Sequence, residues 1–184
     1  MVINDKGLLR AMKEAHKSTG YEICCRKSGE FKEICIETSR WHIVCEAKTV
    51  SRKILGLIVE HLGEVPQVGQ CYQIKKKESQ VKIMEPGKPP FGGITPDDCV
   101  TPDGAYKTSL VWKHANVWKC AETGKVLWID PETEEILNFQ GKAYCLGGKV
   151  LHMSDTVSAV SILPENPVKE EDIKMLNNLA RILF

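Results

Sequence analysis

The sequence predicts an α+β protein: an N-terminal αβββαββ unit, a Pro/Gly-rich linker, and a C-terminal antiparallel β-meander closed by an amphipathic helix. Three observations carry this. Residues 49–62, TVSRKILGLIVEHL, are apolar over far more than one helical stripe, as for a helix enclosed by protein. Residues 86–105 hold five of the nine prolines and four glycines, a density that neither helix nor sheet tolerates. From Thr108 onward, short apolar runs alternate with turn signals at regular spacing, the rhythm of hairpin-connected strands. The organisation is a basic α+β unit at 1–85, a linker or ordered loop at 86–105, and a meander with its closing helix at 106–184.

The elements follow in order. Residues 6–17 form a first helix with Leu8, Leu9, Met12 and Ala15 on its apolar side and Gly20 beyond its end. Strands at 21–27, 31–37 and 40–47 are joined by Ser28-Gly29 and Thr38-Ser39 as two-residue turns. The central helix is capped by Thr49 or Ser51 and stopped by Gly63 and Pro66. Strands at 71–75 and 80–84 make a further hairpin. Beyond the linker, strands at 116–120, 126–129, 136–139 and 143–146 alternate with turns, and 150–153 and 156–163 add one or two more. A last helix spans 167–183, with Asn166 as cap, Pro167 at its first position, acids in its first turn and Arg181 in its last.

An apolar fraction of 42% with 27% charged residues is ordinary for a soluble globular chain. Net charge is +1, so no overall bias points to nucleic acid or membrane. Residues 1–88 carry sixteen Lys and Arg against eleven acids, and residues 89–184 nine against thirteen. No apolar run approaches a membrane span, and the start lacks a signal-peptide core. Eight cysteines without an export signal or paired spacing predict reduced thiols in the cytoplasm.

Signatures of phosphate loops, dinucleotide folds and hydrolase elbows do not occur, nor does a CxxC or HxxxH pair, so no cofactor and no zinc-ribbon metal are expected. Asp97-Asp98-Cys99 reads as solvated or capping. Lys48, Arg52 and Lys53 at the start of the central helix, with Lys75, Lys76 and Lys77 in a turn, form a candidate phosphate-binding group. The α-β-β-β-α order of the first third of the chain is similar to double-stranded-RNA-binding domains, which also place lysines at the start of their second helix. That resemblance implies RNA contact through Lys48, Arg52 and Lys53. Cys45-Glu46-Ala47-Lys48 stands where that family has a Gly-rich approach.

Two further groups are candidates. Trp112, His114, Asn116 and Trp118 share one face if a single strand runs through them, making a groove wall for a ligand; the competing reading is tryptophans packing a β core. With the two turns as above, Cys35 lies directly beside His42, flanked by Glu22, with Cys24 one diagonal step away and Glu37 opposed to Arg40. This is an activated thiol or, with Cys24, a three-ligand metal site; the competing reading is burial of small apolar cysteines. The function that follows is a non-catalytic binding or assembly protein of the cytoplasm, with a protein partner or a second copy of itself. Nucleic-acid binding through the basic unit is the runner-up, and a small thiol- or histidine-dependent enzyme stands third.

Overall fold

The computed structural model describes residues 1–75, 82–83 (backbone only), 103–139, 141–147 and 150–165. In the C-terminal stretch it describes residues 170–172, 174, 178 and 181, which are helical. The described residues combine helices with a large, wholly antiparallel sheet. In chain order the elements are α1 (Asp5–Lys17), β1 (Tyr21–Ser28), β2 (Phe31–Glu37), β3 (Trp41–Glu46), α2 (Arg52–Leu62), β4 (Cys71–Ile74) and β5 (Lys82–Ile83). They continue with β6 (Asp103–Trp112), β7 (Ala115–Cys120), β8 (Val126–Ile129), α3 (Pro131–Glu134), β9 (Ala143–Leu146), β10 (Val150–Ser154) and β11 (Ser158–Ile162). The strands lie side by side as β5-β4-β1-β2-β3-β11-β10-β9-β6-β7-β8.

Side chains alternate between the two faces of a strand, and directly opposed residues share a face. One face is therefore an apolar row read straight across the sheet: Tyr72, Ile23, Ile36, Ile43, Val160, Met153, Ala143, Ala105 and Cys120. Ile23, Ile36, Ile43 and Val160 are fully buried, together with Met12 of α1 and Ile58 of α2 in the same cluster. Each large side chain enclosed this way contributes about 1.5–3 kcal/mol.

Ser51 caps α2 through Ile54 N, and Gly63, at φ 91, stops it in the left-handed conformation a side chain resists. The helix lies on the sheet rather than inside the fold. Ile54, Leu57 and Ile58 are buried, whereas Val59 is 43% exposed and Gly56 is open. The enclosed central helix expected from its composition is thus a one-sided cover.

Both N-terminal hairpins turn one residue later than expected. Ser28 pairs with Phe31, so Gly29-Glu30 is the first turn, and Gly29 takes φ 58 as a tight hairpin demands. Thr38 closes the second turn, its Oγ1 accepting from the backbone N–H groups of Arg40 and Trp41. A threonine hydroxyl serves better as the acceptor that starts a turn than as a residue within it. Each shift moves the partners by two residues, so every side chain keeps its predicted face but meets a different neighbour.

The second half departs from a simple meander. β6, β7 and β8 are consecutive neighbours, but β9 returns to the other side of β6 and leads through β10 to β11, which pairs with β3. Residues 136–139 do not form a hairpin strand. Ile3 bridges Leu137, Asn4 N donates to Ile136 O and Asn138 N to Val2 O. Residues 103–105, expected in the loop, open β6 instead. The apolar residues of the 167–183 helix, and positions 76–81 and 84–102, lie outside the described residues. No described helix is long and apolar enough to cross a membrane.

Candidate functional site

The second face of the sheet carries a different row. Gln73, Glu22, Glu37, His42, Ser161, His152, Tyr144 and Gly104 are in register across eight successive strands, from β4 to β6. The neighbouring row, two residues along each strand, reads Cys71, Cys24, Cys35, Val44, Ala159 and Ser154. The same period of two that fills one face with isoleucine therefore gathers hydrogen-bonding and thiol groups on the other. Rigid strands fix these groups to one another.

The centre of the polar row is His42, Ser161 and His152. His152 Nδ1 and Ser161 Oγ share a hydrogen bond of 2.9 Å. His42 is 8% exposed. Burial, with the charges of Arg26 and His152, lowers its imidazole to about 4, and burial lowers His152 in the same direction. Both rings are therefore neutral near pH 7, with one donor and one acceptor nitrogen each, and His152 Nδ1 is engaged by Ser161. Glu22 and Glu37 stand directly opposite each other beside them, half-buried.

A Ser–His pair becomes nucleophilic when a third group, usually a carboxylate, orients the imidazole. The in-register neighbours of His152 are Ser161 and Tyr144, neither of them a carboxylate. Burial also pushes the Cys35 thiol up to about 11, with the Arg26 guanidinium pulling the other way. A thiol so poised is largely protonated at neutral pH and a poor nucleophile.

Cys35 and His42 share the predicted face but are one step apart: Cys35 stands opposite Val44, and His42 opposite Glu37. Cys24, expected on the diagonal, is directly opposite Cys35 on one side and Cys71 on the other. It is joined to Cys71, with Cα atoms 4.0 Å apart. This pairing was hidden by a separation of 47 residues. Among the described residues Cys25, Cys35, Cys45, Cys120 and Cys145 are buried and outside any disulfide. Among the described residues no group of three or more His, Cys, Asp or Glu is placed to hold a metal ion.

The Trp112–Trp118 groove wall is not formed. Lys113 and His114 make the turn between β6 and β7, Lys113 taking φ 55, so two strands replace one. Trp112 opposes Ala115 and packs with Val117 and Trp128, while Trp118 falls on the helix-covered face. His114 is exposed beside Glu165 at 3.1 Å. The lysines are dispersed as well. Lys48 is bound to Glu46 at 2.6 Å and lies over the Phe31 ring, and Arg52 and Lys53 are exposed on the first turn of α2. Lys75 lies at the other end of the strands, against Gly20. Lys76 and Lys77 lie outside the described residues.

Sequence reading also missed a buried carboxylate. Glu134, at the end of α3, is 4% exposed. It accepts from Trp118 Nε1 at 2.5 Å, from Lys107 Nζ at 2.7 Å and from the Asn116 amide. Phe139 stacks on Trp118 with centroids 6.0 Å apart. Nothing in Pro131-Glu-Thr-Glu-Glu distinguishes Glu134 from its solvated neighbours. Ser161 was open to detection, because the alternation of Ser158–Ile162 already sends Ser161 to the face opposite Val160.

Comparison of the chain with protein-family models, with curated proteins and with solved structures finds no match.

Proposed function

We propose that the chain is a non-catalytic binding or assembly protein whose working surface is the polar face of the sheet. The observation that supports this most is the in-register row from Gln73 to Tyr144, centred on His42, Ser161 and His152. The half-buried Gln73, Glu22, Ser161, His152 and Tyr144 hold polar groups at fixed places on a rigid sheet around the buried His42, and preorganisation of this kind lowers the entropic cost of binding. The partner is a protein or a second copy of the chain. A cytoplasmic setting is part of this reading; the five buried cysteines outside a disulfide accord with it and the Cys24–Cys71 link counts against it. The division into 1–85 and 106–184 about the 86–105 linker belongs to the same reading.

Sedimentation velocity of wild type and Ser161→Arg, at two concentrations and with circular dichroism as a folding control, tests self-assembly. The expected result is a larger species in wild type that the variant loses. Hydrolysis of a p-nitrophenyl ester by wild type but not by Ser161→Ala would replace the binding reading with a catalytic one. Salt-dependent fluorescence anisotropy with duplex RNA, unchanged in Ser161→Arg but lost in Arg52→Glu/Lys53→Glu, would replace it with nucleic-acid binding through α2.

A further inference from the structure

Cys71, Cys24 and Cys35 occupy three adjacent strands at one level of one face. Directly opposed residues in antiparallel strands have Cα atoms about 4.5–5.5 Å apart, within the span a disulfide bridges. Cys24 is the middle member, with one cysteine on each side. In the structure it is joined to Cys71, and Cys35 is a free thiol. We propose that Cys24 is the shared member of two alternative disulfides, to Cys71 on β4 and to Cys35 on β2, interconverted by thiol–disulfide exchange within the row.

The step balances without an oxidant. Cys35 gives its proton to solvent, and its thiolate attacks Cys24 Sγ. A Cys24–Cys35 bond forms as the Cys24–Cys71 bond breaks, and the departing Cys71 thiolate takes up a proton. Attack on a disulfide sulfur proceeds along the axis of the bond being broken. The register sets Cys35 and Cys71 on opposite sides of Cys24, so the entering and leaving thiolates belong to different neighbouring strands.

The two states constrain different parts of the chain. A Cys24–Cys71 link closes a loop containing β2, β3 and α2, and ties β4 to the sheet. A Cys24–Cys35 link closes only the β1–β2 hairpin and leaves β4, a four-residue strand next to the sheet edge, held by its backbone bonds and by the core packing of Tyr72 and Ile74, without a covalent tie. Exchange therefore removes the covalent tie on β4 without any net change in oxidation. The burial that raises the Cys35 thiol slows the step at neutral pH and makes it base-accelerated.

The test uses the full chain equilibrated with oxidised glutathione, desalted, held at pH 7 or pH 9, quenched with acid and alkylated. Non-reducing peptide mapping follows, with fragment ions separating Cys24 from Cys25. Wild type is expected to convert Cys24–Cys71 partly into Cys24–Cys35, at least tenfold faster at pH 9. Cys71→Ser is expected to form Cys24–Cys35, and Cys35→Ser to keep Cys24–Cys71 at both pH values. A Cys71→Ala variant repeats the assignment if the serine variant fails to fold by circular dichroism. The proposal is overturned if Cys24–Cys35 is absent from wild type at both pH values and from the folded Cys71 variants, or if Cys24–Cys71 never forms.

Discussion

Trp118 donates its indole N–H to Glu134 at 2.5 Å, which ties the core face of β7 to the last residue of α3. The same carboxylate also takes Lys107 and Asn116, so one short helix holds three side chains of the β6–β7 hairpin. Removing it strands a buried indole N–H and a half-buried amide. Glu134→Ala should cost about 2–4 kcal/mol in urea unfolding, and Glu134→Gln, which keeps an acceptor but loses the charge, clearly less. Equal, near-zero losses would mean that water replaces the carboxylate without penalty.

Gly7 and Gly56 predict opposite signs for one substitution. A Cβ at Gly7 would lie 1.9 Å from the carbonyl oxygen of Glu135, a backbone atom that cannot step aside. Gly7→Ala must therefore lift α1 from residues 135–136, at a cost of about 1–3 kcal/mol or more. Gly56 sits in α2 with nothing within 4 Å of its Cβ position. There alanine should stabilise by about 0.5–1 kcal/mol. Melting temperatures moving the same way for both would undo the docking of α1.

The sequence made some of this legible and withheld the rest for identifiable reasons. Alternation in YEICC, FKEICIE and WHIVCE assigned the faces of β1, β2 and β3 correctly, because parity survives a two-residue slip. It could not fix which residue opposes which, since that depended on Thr38 starting a turn rather than occupying one. Cys24 and Cys71 belong to strands brought together by α2 crossing the sheet, and no local spacing encodes that. Trp112 and Trp118 were set on one face by a parity count that ran through a turn at Lys113 and His114.

His42 predicts an acid-sensitive stability. An imidazole whose folded pKa is about 4, against 6.5 for the ordinary side chain, binds its proton more readily in the unfolded chain. Its share of stability is full above pH 6.5, falls as pH drops toward 4, and changes no further below that. The loss over this window is roughly 3 kcal/mol at most. His152, lowered in the same direction, adds to the slope. Chemical denaturation between pH 7 and pH 4 should show the decline, and His42→Gln should flatten it. A slope unchanged by His42→Gln would assign the acid sensitivity to other groups.

Within the expected 86–105 linker, residues 86–102, ahead of β6, predict the first proteolytic cut on composition alone: five prolines and three glycines are the composition of a loop. Brief digestion with elastase should nick the chain there. Because β3 and β11 are bonded neighbours, the two fragments should still co-elute in gel filtration. A first cut elsewhere would remove the linker.

The pairing of β3 with β11 also has a consequence for the chain as it is made. The β1, β2 and β3 hairpins close soon after they leave the ribosome, but the outer edge of β3 stays open until β11 emerges. At about 5–20 residues per second, the roughly hundred residues in between take on the order of 5–20 s to appear. For that interval Trp41–Glu46 presents unpaired N–H and C=O groups that the finished protein never shows, the kind of edge that templates aggregation. A nascent chain stalled between the two strands is the form in which this protein is most exposed to its neighbours, and the natural target for a chaperone.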